Sequence, residues 1–246
     1  MLEGKVLELL GKMIINCKCA GAATALYLNL SCLEEAKPII GSSEAVPFLI
    51  QVLQHQPDVQ CRLDSLHALY NLSGHQANIP HLLSAGVIDS LQVLITNSGD
   101  HSWTEKSIAV VINLAASRSA REEIISSSGL VSGLATILDV GEPVEQEQAA
   151  ACLLILCNGN EKCSQMVLQE GVIPSLVCIS VNGTTRGKQK AQKLLMLFRE
   201  QRQREPSAVQ AALQPECSEI PVTPEDAKPL CKSVSRRKVG RAWSFW

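Results

Sequence analysis

Four histidines, His67, His75, His81 and His101, with Asp64 close to the first, supply the residue types of general acid–base chemistry. A nucleophile, a base and an orienting group would have to converge, and no spacing in the chain shows such a trio. Ten cysteines offer a second chemistry. Cys17-Lys18-Cys19 and the series Cys152, Cys157, Cys163 carry thiols that zinc could bind, but no paired CxxC and no nearby His completes a tetrahedral set. Cys152 and Cys157 lie in the apolar string ACLLILC, where a cysteine acts as a small buried hydrophobe and not as part of a disulfide framework. The third chemistry is N-glycosylation, whose acceptor rule is met at Asn29-Leu30-Ser31, Asn71-Leu72-Ser73 and Asn182-Gly183-Thr184. No catalytic residue, metal or cofactor is expected from the first two sets, and the third depends on where the asparagines sit.

The chain's start argues against a secretory route. In MLEGKVLELLGKMIINC the charges Glu3, Lys5, Glu8 and Lys12 interrupt what would be the apolar core of a signal peptide. The longest wholly apolar run, AAACLLILC, is too short to span a bilayer. A soluble chain of the cytoplasm or nucleus is expected. Lys+Arg number 22 and Asp+Glu 24, so no global field favours nucleic acid or an anionic membrane. With 46% hydrophobic but only 3% aromatic residues, the core must be aliphatic, which suits packed helices. At 246 residues there is enough chain to bury a substantial one.

A repeat organises these helices. Asn29, Asn71 and Asn113 occur in LYLNLS, ALYNLS and VVINLA, 42 residues apart (71 − 29 and 113 − 71), and the same step reaches Ile155 and Leu197. A second marker precedes each: Gly86, Gly129 and Gly171 open GVIDSL, GLVSGL and GVIPSL, with Glu44 in that place in the first copy. Glycine past a helix end can take a positive φ, and Pro47 and Pro174 suit the first turn of the helix that follows. Each unit therefore reads as a helix, a glycine break, a second helix and a longer third helix.

On that third helix, spacing predicts two faces. One carries Tyr27, Leu69, Val111 and Leu153 with Leu30, Leu72, Leu114 and Leu156, a continuous core between units. The other carries Ala22, Ala25, Asn29; Asp64, His67, Asn71; Lys106, Ala109, Asn113; and Gln148, Ala151, Ile155. Small and polar side chains are expected in a partly exposed groove. Asn29 and Asn71 then lie within packed helices, where a sugar would displace neighbouring units. Trp103 is expected just before a third helix, either exposed as an interaction hot spot or covering a repeat junction.

These strings resemble the armadillo repeat over about residues 4 to 204. The wording of ATALYLNLSCLEEAKPIIGSSEAVPFLIQVL, NGNEKCSQMVLQEGVIPSLV and GTTRGKQKAQKLLMLFREQRQRE is similar to the plant U-box armadillo proteins, a family of E3 ubiquitin ligases. The resemblance implies an all-α, right-handed superhelix, an α-solenoid whose third helices line a concave groove. It also implies that Asn29, Asn71 and Asn113 bond to the backbone of an extended peptide, with Asp64, His67 and Lys106 beside them. Ile155 departs from that pattern. The nuclear-import branch places Trp four residues before the Asn, where this chain has Ala25, His67 and Ala109, so a nuclear-signal receptor is not expected.

The implied partner is a protein, held as an extended segment that would be a ubiquitination substrate or a receptor kinase. No Cys-Pro-Ile opening with a following Asp-Pro-Val segment, the mark of a U-box, occurs between Met1 and Trp246, so these residues are not expected to transfer ubiquitin. Residues 1–19 read as a partial repeat whose apolar residues would drive self-association, and 20–204 as about four repeats with terminal helices. Residues 205–246, with five prolines and the ending CKSVSRRKVGRAWSFW, read as a disordered tail capable of membrane contact. The basic stretch from Arg186 to Arg204 reads as the polar outer face of the final helix, with docking on anionic lipid or RNA as the alternative. Nucleic acid is not an expected partner, because aromatic stacking positions are missing.

Overall fold

The computed structural model describes residues 20–97 and 101–204, all within one compact unit bounded at Pro206. The expectations for residues 1–19 and 205–246 lie outside these described residues. In chain order the helices are α1 (Ala20–Leu30), α2 (Lys37–Gly41), α3 (Ala45–His55), α4 (Val59–Ser73), α5 (Ile79–Ser84), α6 (Val87–Asn97) and α7 (His101–Leu114). They continue as α8 (Arg118–Ser126), α9 (Ser128–Val140), α10 (Pro143–Cys157), α11 (Glu161–Gln169), α12 (Ile173–Asn182) and α13 (Thr185–Arg204), and a 3-10 turn, Gln76–Asn78, precedes α5. Among the described residues there is no strand.

The architecture is an α-solenoid. The long third helices stack in order, α1 on α4, α4 on α7, α7 on α10 and α10 on α13. Each second helix packs on its own third helix (α3 on α4, α6 on α7, α9 on α10, α12 on α13), and the second helices form a parallel row. The two columns read from the sequence are the spine of this stack. Tyr27, Leu69, Val111, Leu153, Leu72, Leu114 and Leu156 are all buried, and Leu30 is half-buried. At roughly 1.5–3 kcal/mol for each fully buried aliphatic side chain, this spine dominates the cohesion between units.

Local chemistry fixes where the helices start. Asp58 caps α4 by accepting from the Gln60 N–H at 3.0 Å, and Asn160 caps α11 by accepting from the Cys163 N–H at 2.9 Å. At α10 the Glu145 carboxylate accepts from the Glu142 N–H at 2.8 Å. The glycine breaks differ from expectation at one unit. Gly86 and Gly171 do take left-handed φ values of 79° and 73°, but Gly129 does not; it lies in the first turn of α9. A Cβ there would collide with the side-chain amide of Gln92, whose Oε1 accepts from Ser127 Oγ at 2.6 Å, so Gly129 provides room, not a turn. A further left-handed glycine, Gly159 at φ 74°, makes the turn between α10 and α11.

Among the described residues, no single helix is long and apolar enough to cross a membrane. The last helix, α13, buries Ala191, Leu194 and Phe198 and exposes Arg186, Lys193, Arg199 and Arg202.

Candidate functional site

Most of the residues that sequence reasoning assigned to a groove are half-buried, Ala22 and Asn29 being exceptions. On α4, Asp64, His67 and Asn71 share one face one turn apart, and Lys106, Ala109 and Asn113 do the same on α7. Ala25 on α1 is also half-buried, whereas Ala22 and Asn29 are exposed.

Asn71 and Asn113 do something the sequence reading had not foreseen. Each sends its amide nitrogen back to the preceding unit. Asn71 Nδ2 donates to Ser31 Oγ at 3.0 Å and contacts Cys32 Sγ at 3.5 Å. Asn113 Nδ2 donates to Ser73 Oγ at 3.0 Å and reaches the Tyr70 carbonyl at 3.4 Å. The acceptors are the serines of the two Asn-Leu-Ser strings, both buried. A sugar-bearing loop is therefore contradicted at Asn71, whose amide is spent inside the stack. Asn29 is not a rung of this ladder, since its Nδ2 donates to the Ala25 carbonyl of its own helix at 2.8 Å. No donor among the described residues reaches Oδ1 of Asn71 or Asn113.

Around this ladder the charged groups are held in place. Asp64 Oδ1 accepts from Gln60 Nε2 at 2.8 Å. Lys106 Nζ lies 4.6 Å from the centroid of the Tyr70 ring, a cation–π contact across the α4–α7 junction that the sequence reading missed. His67 feels the charges of both Lys106 and Asp64. Burial, and then the Lys106 charge, hold its pKa below the ordinary histidine value, with Asp64 opposing them. A neutral imidazole with an anchored cation, an acid and two fixed amides makes this a polar stretch of the stack.

The alternative chemistries do not assemble among the described residues. His75 Nδ1 is buried without a partner, His81 is exposed on α5, and His101 begins α7 where a loop was expected. No group of three His, Cys, Asp or Glu could hold a metal ion among the described residues. Cys157 and Cys163 approach to 3.7 Å as free, buried thiols. Trp103 lies within α7 and is buried, with the Arg62 guanidinium 4.9 Å from its ring centroid and Arg62 Nε donating to the Leu53 carbonyl at 2.9 Å. It covers the junction between units and is not an exposed hot spot.

Comparison with known proteins agrees with this architecture. The family model described as the plant U-box protein ARM repeat region matches residues 4–216. Over its whole length the chain is 54% identical to U-box domain-containing protein 45, 57% to U-box domain-containing protein 6 and 55% to U-box domain-containing protein 7, all of Arabidopsis thaliana. It spans about a third of the length of each: 33%, 33% and 34%. Among solved structures, a designed armadillo repeat protein superposes with a TM-score of 0.66 at 18% identity, covering 75% of this chain and 79% of that one. A computationally designed armadillo repeat protein for modular peptide recognition gives 0.65 at 21%, covering 72% and 74%. Another, in complex with the peptide (KR)4, gives 0.58 at 19%, covering 78% and 86%. The 42-residue repeat, the stacked third helices and the family match together place this chain in the plant U-box protein family, as its armadillo-repeat region.

Proposed function

We propose that the chain is a protein-interaction module that holds an extended segment of a partner along the inner face of its third helices. One observation carries this reading: Asn71 and Asn113 are each clamped through Nδ2 to the preceding unit, and among the described residues no donor reaches Oδ1. A pre-anchored amide oxygen in each of two successive units can accept backbone N–H groups from a guest at little ordering cost. Asp64, His67 and Lys106 would then read the guest's side chains, and Asn29 would extend the row. Armadillo folds prepared for peptide recognition, including the one bound to (KR)4, support the capacity of such a face to hold a peptide.

Within a longer protein of the U-box kind, this module would select the substrate to be ubiquitinated or dock a receptor kinase, in the cytoplasm or nucleus. The test is binding of a display-selected peptide to Asn71→Ala and Asn113→Ala chains. Each substitution should weaken affinity by about fivefold to tenfold, equivalent to roughly 1 kcal/mol for a lost hydrogen bond. Unchanged affinity in folded variants would move the site off this face.

A further inference from the structure

The polar ladder stops at the fourth unit, and both members of the rung change together. Ile155 stands where Asn71 and Asn113 stand, and Ala115 where Ser31 and Ser73 stand. An amide at 155 would find no hydroxyl to receive it, and isoleucine removes that unpaired donor. At the asparagine register the inner face consequently becomes apolar over the last two units. Ala151, Leu154 and Ile155 on α10 and Leu197 on α13 are half-buried, and Met196 is 60% exposed.

The strip has a cationic edge. Lys193 and Lys190 stand one and two turns before Leu197, the register positions that His67 and Asp64 occupy three units earlier. Neither lysine has an ion-pair partner among the described residues. Beyond Leu197 the face opens into a cleft of about 710 Å³, lined in part by Asn158, Gly159, Lys193, Met196, Leu197 and Glu200. Glu161 and Glu200 line this cleft too, so a guest's acidic group is favoured at the Lys190–Lys193 side and disfavoured deeper in it.

We infer that this end of the face selects its partner: an extended protein segment bearing a bulky apolar residue for the Ile155 strip and an adjacent Asp or Glu for Lys190 and Lys193. The inference rests on the peptide-holding reading above and deepens it. Stacked helices lie about 8–10 Å apart and an extended chain advances about 3.3 Å per residue, so the apolar residue falls about three positions from the one held at Asn113.

A random dodecapeptide library displayed on phage, selected on the 246-residue chain, tests this. Peptides pairing a bulky apolar residue with a neighbouring acid should be enriched. The synthetic consensus peptide should bind roughly tenfold more weakly to Ile155→Asn/Ala115→Ser, which rebuilds the polar rung, and to Ile155→Ala, which leaves buried Ala115 untouched. Lys190→Glu/Lys193→Glu should abolish the preference for the acid. Enriched peptides lacking the apolar–acid pair, or full affinity in folded variants, would overturn the inference. Peptides sensitive to Asn71→Ala and Asn113→Ala yet indifferent at 155, 190 and 193 would overturn it alone. A selection that returns no binder would remove the peptide-holding reading along with it.

Discussion

Asn113 and Ser73 belong to successive units, and the amide nitrogen of the first donates to the hydroxyl of the second at 3.0 Å. Asn71 and Ser31 repeat the bond at the same distance. Asn71 and Asn113 thus join successive units, and among the described residues no donor reaches their Oδ1 atoms. The function proposed for this face gives the same side chain a second role, in recognition.

Cutting this bond should show as coupling between positions 40 residues apart. Asn113→Ala and Ser73→Ala should each lower unfolding free energy by about 1 kcal/mol, and the double variant should lose little more than either single one. Urea denaturation of the four proteins measures the cycle. Fully additive losses would mean that the two groups do not share a bond in solution.

The sequence already contained this ladder in disguise. The 42-residue step exposed the asparagine column and the buried spine, because aliphatic periodicity records which faces meet. The partner serine was visible only as part of a glycosylation string, although its loss at Ala115 alongside the loss of Asn at Ile155 was a readable signal. Tyr70 under Lys106 and Arg62 over Trp103 left no such trace, since each contact depends on how far one helix lies from the next. Gly129 misled because glycine serves close approach as readily as a turn.

A second tie between units is Asn78, fully buried, whose Nδ2 donates to the Lys37 carbonyl at 3.0 Å and the Leu72 carbonyl at 3.1 Å. Gly41 leaves the space this side chain fills. Gly41→Ala should therefore destabilise the chain by about 1–3 kcal/mol, and Asn78→Ala by a similar amount through two orphaned carbonyls. Thermal melting followed by circular dichroism reads both. A wild-type midpoint in either variant would contradict the contact.

His67 should titrate below an ordinary histidine, because burial and then the Lys106 charge disfavour its cation. A histidine with a lowered folded pKa binds its proton more readily when unfolded. Its contribution to stability is therefore complete above the unfolded value of about 6.5 and is lost as pH falls from there through the folded pKa. In Lys106→Gln the His67 midpoint, followed by its ring proton resonances, should move up. A midpoint that stays put would remove Lys106 from the site's electrostatics.

The cysteines should divide by burial. The Cys152 thiol is pushed up to about 12 by burial and then by Cys163, and Cys61, Cys157 and Cys163 are also buried, whereas Cys32 and Cys178 are exposed. At neutral pH, labelling of the native chain with a thiol reagent, mapped by peptide mass, should mark Cys32 and Cys178 well before the buried four. Equal labelling would show that the α10–α11 region opens readily.

The most direct test observes the two ladder amides themselves. On titration with a display-selected peptide, the side-chain NH2 resonances of Asn71 and Asn113 should shift together and saturate at the peptide's own affinity, with those of Asn182 unmoved. If the Asn71 and Asn113 signals stay fixed while the peptide saturates the chain, the guest binds elsewhere and the asparagines serve the stack alone.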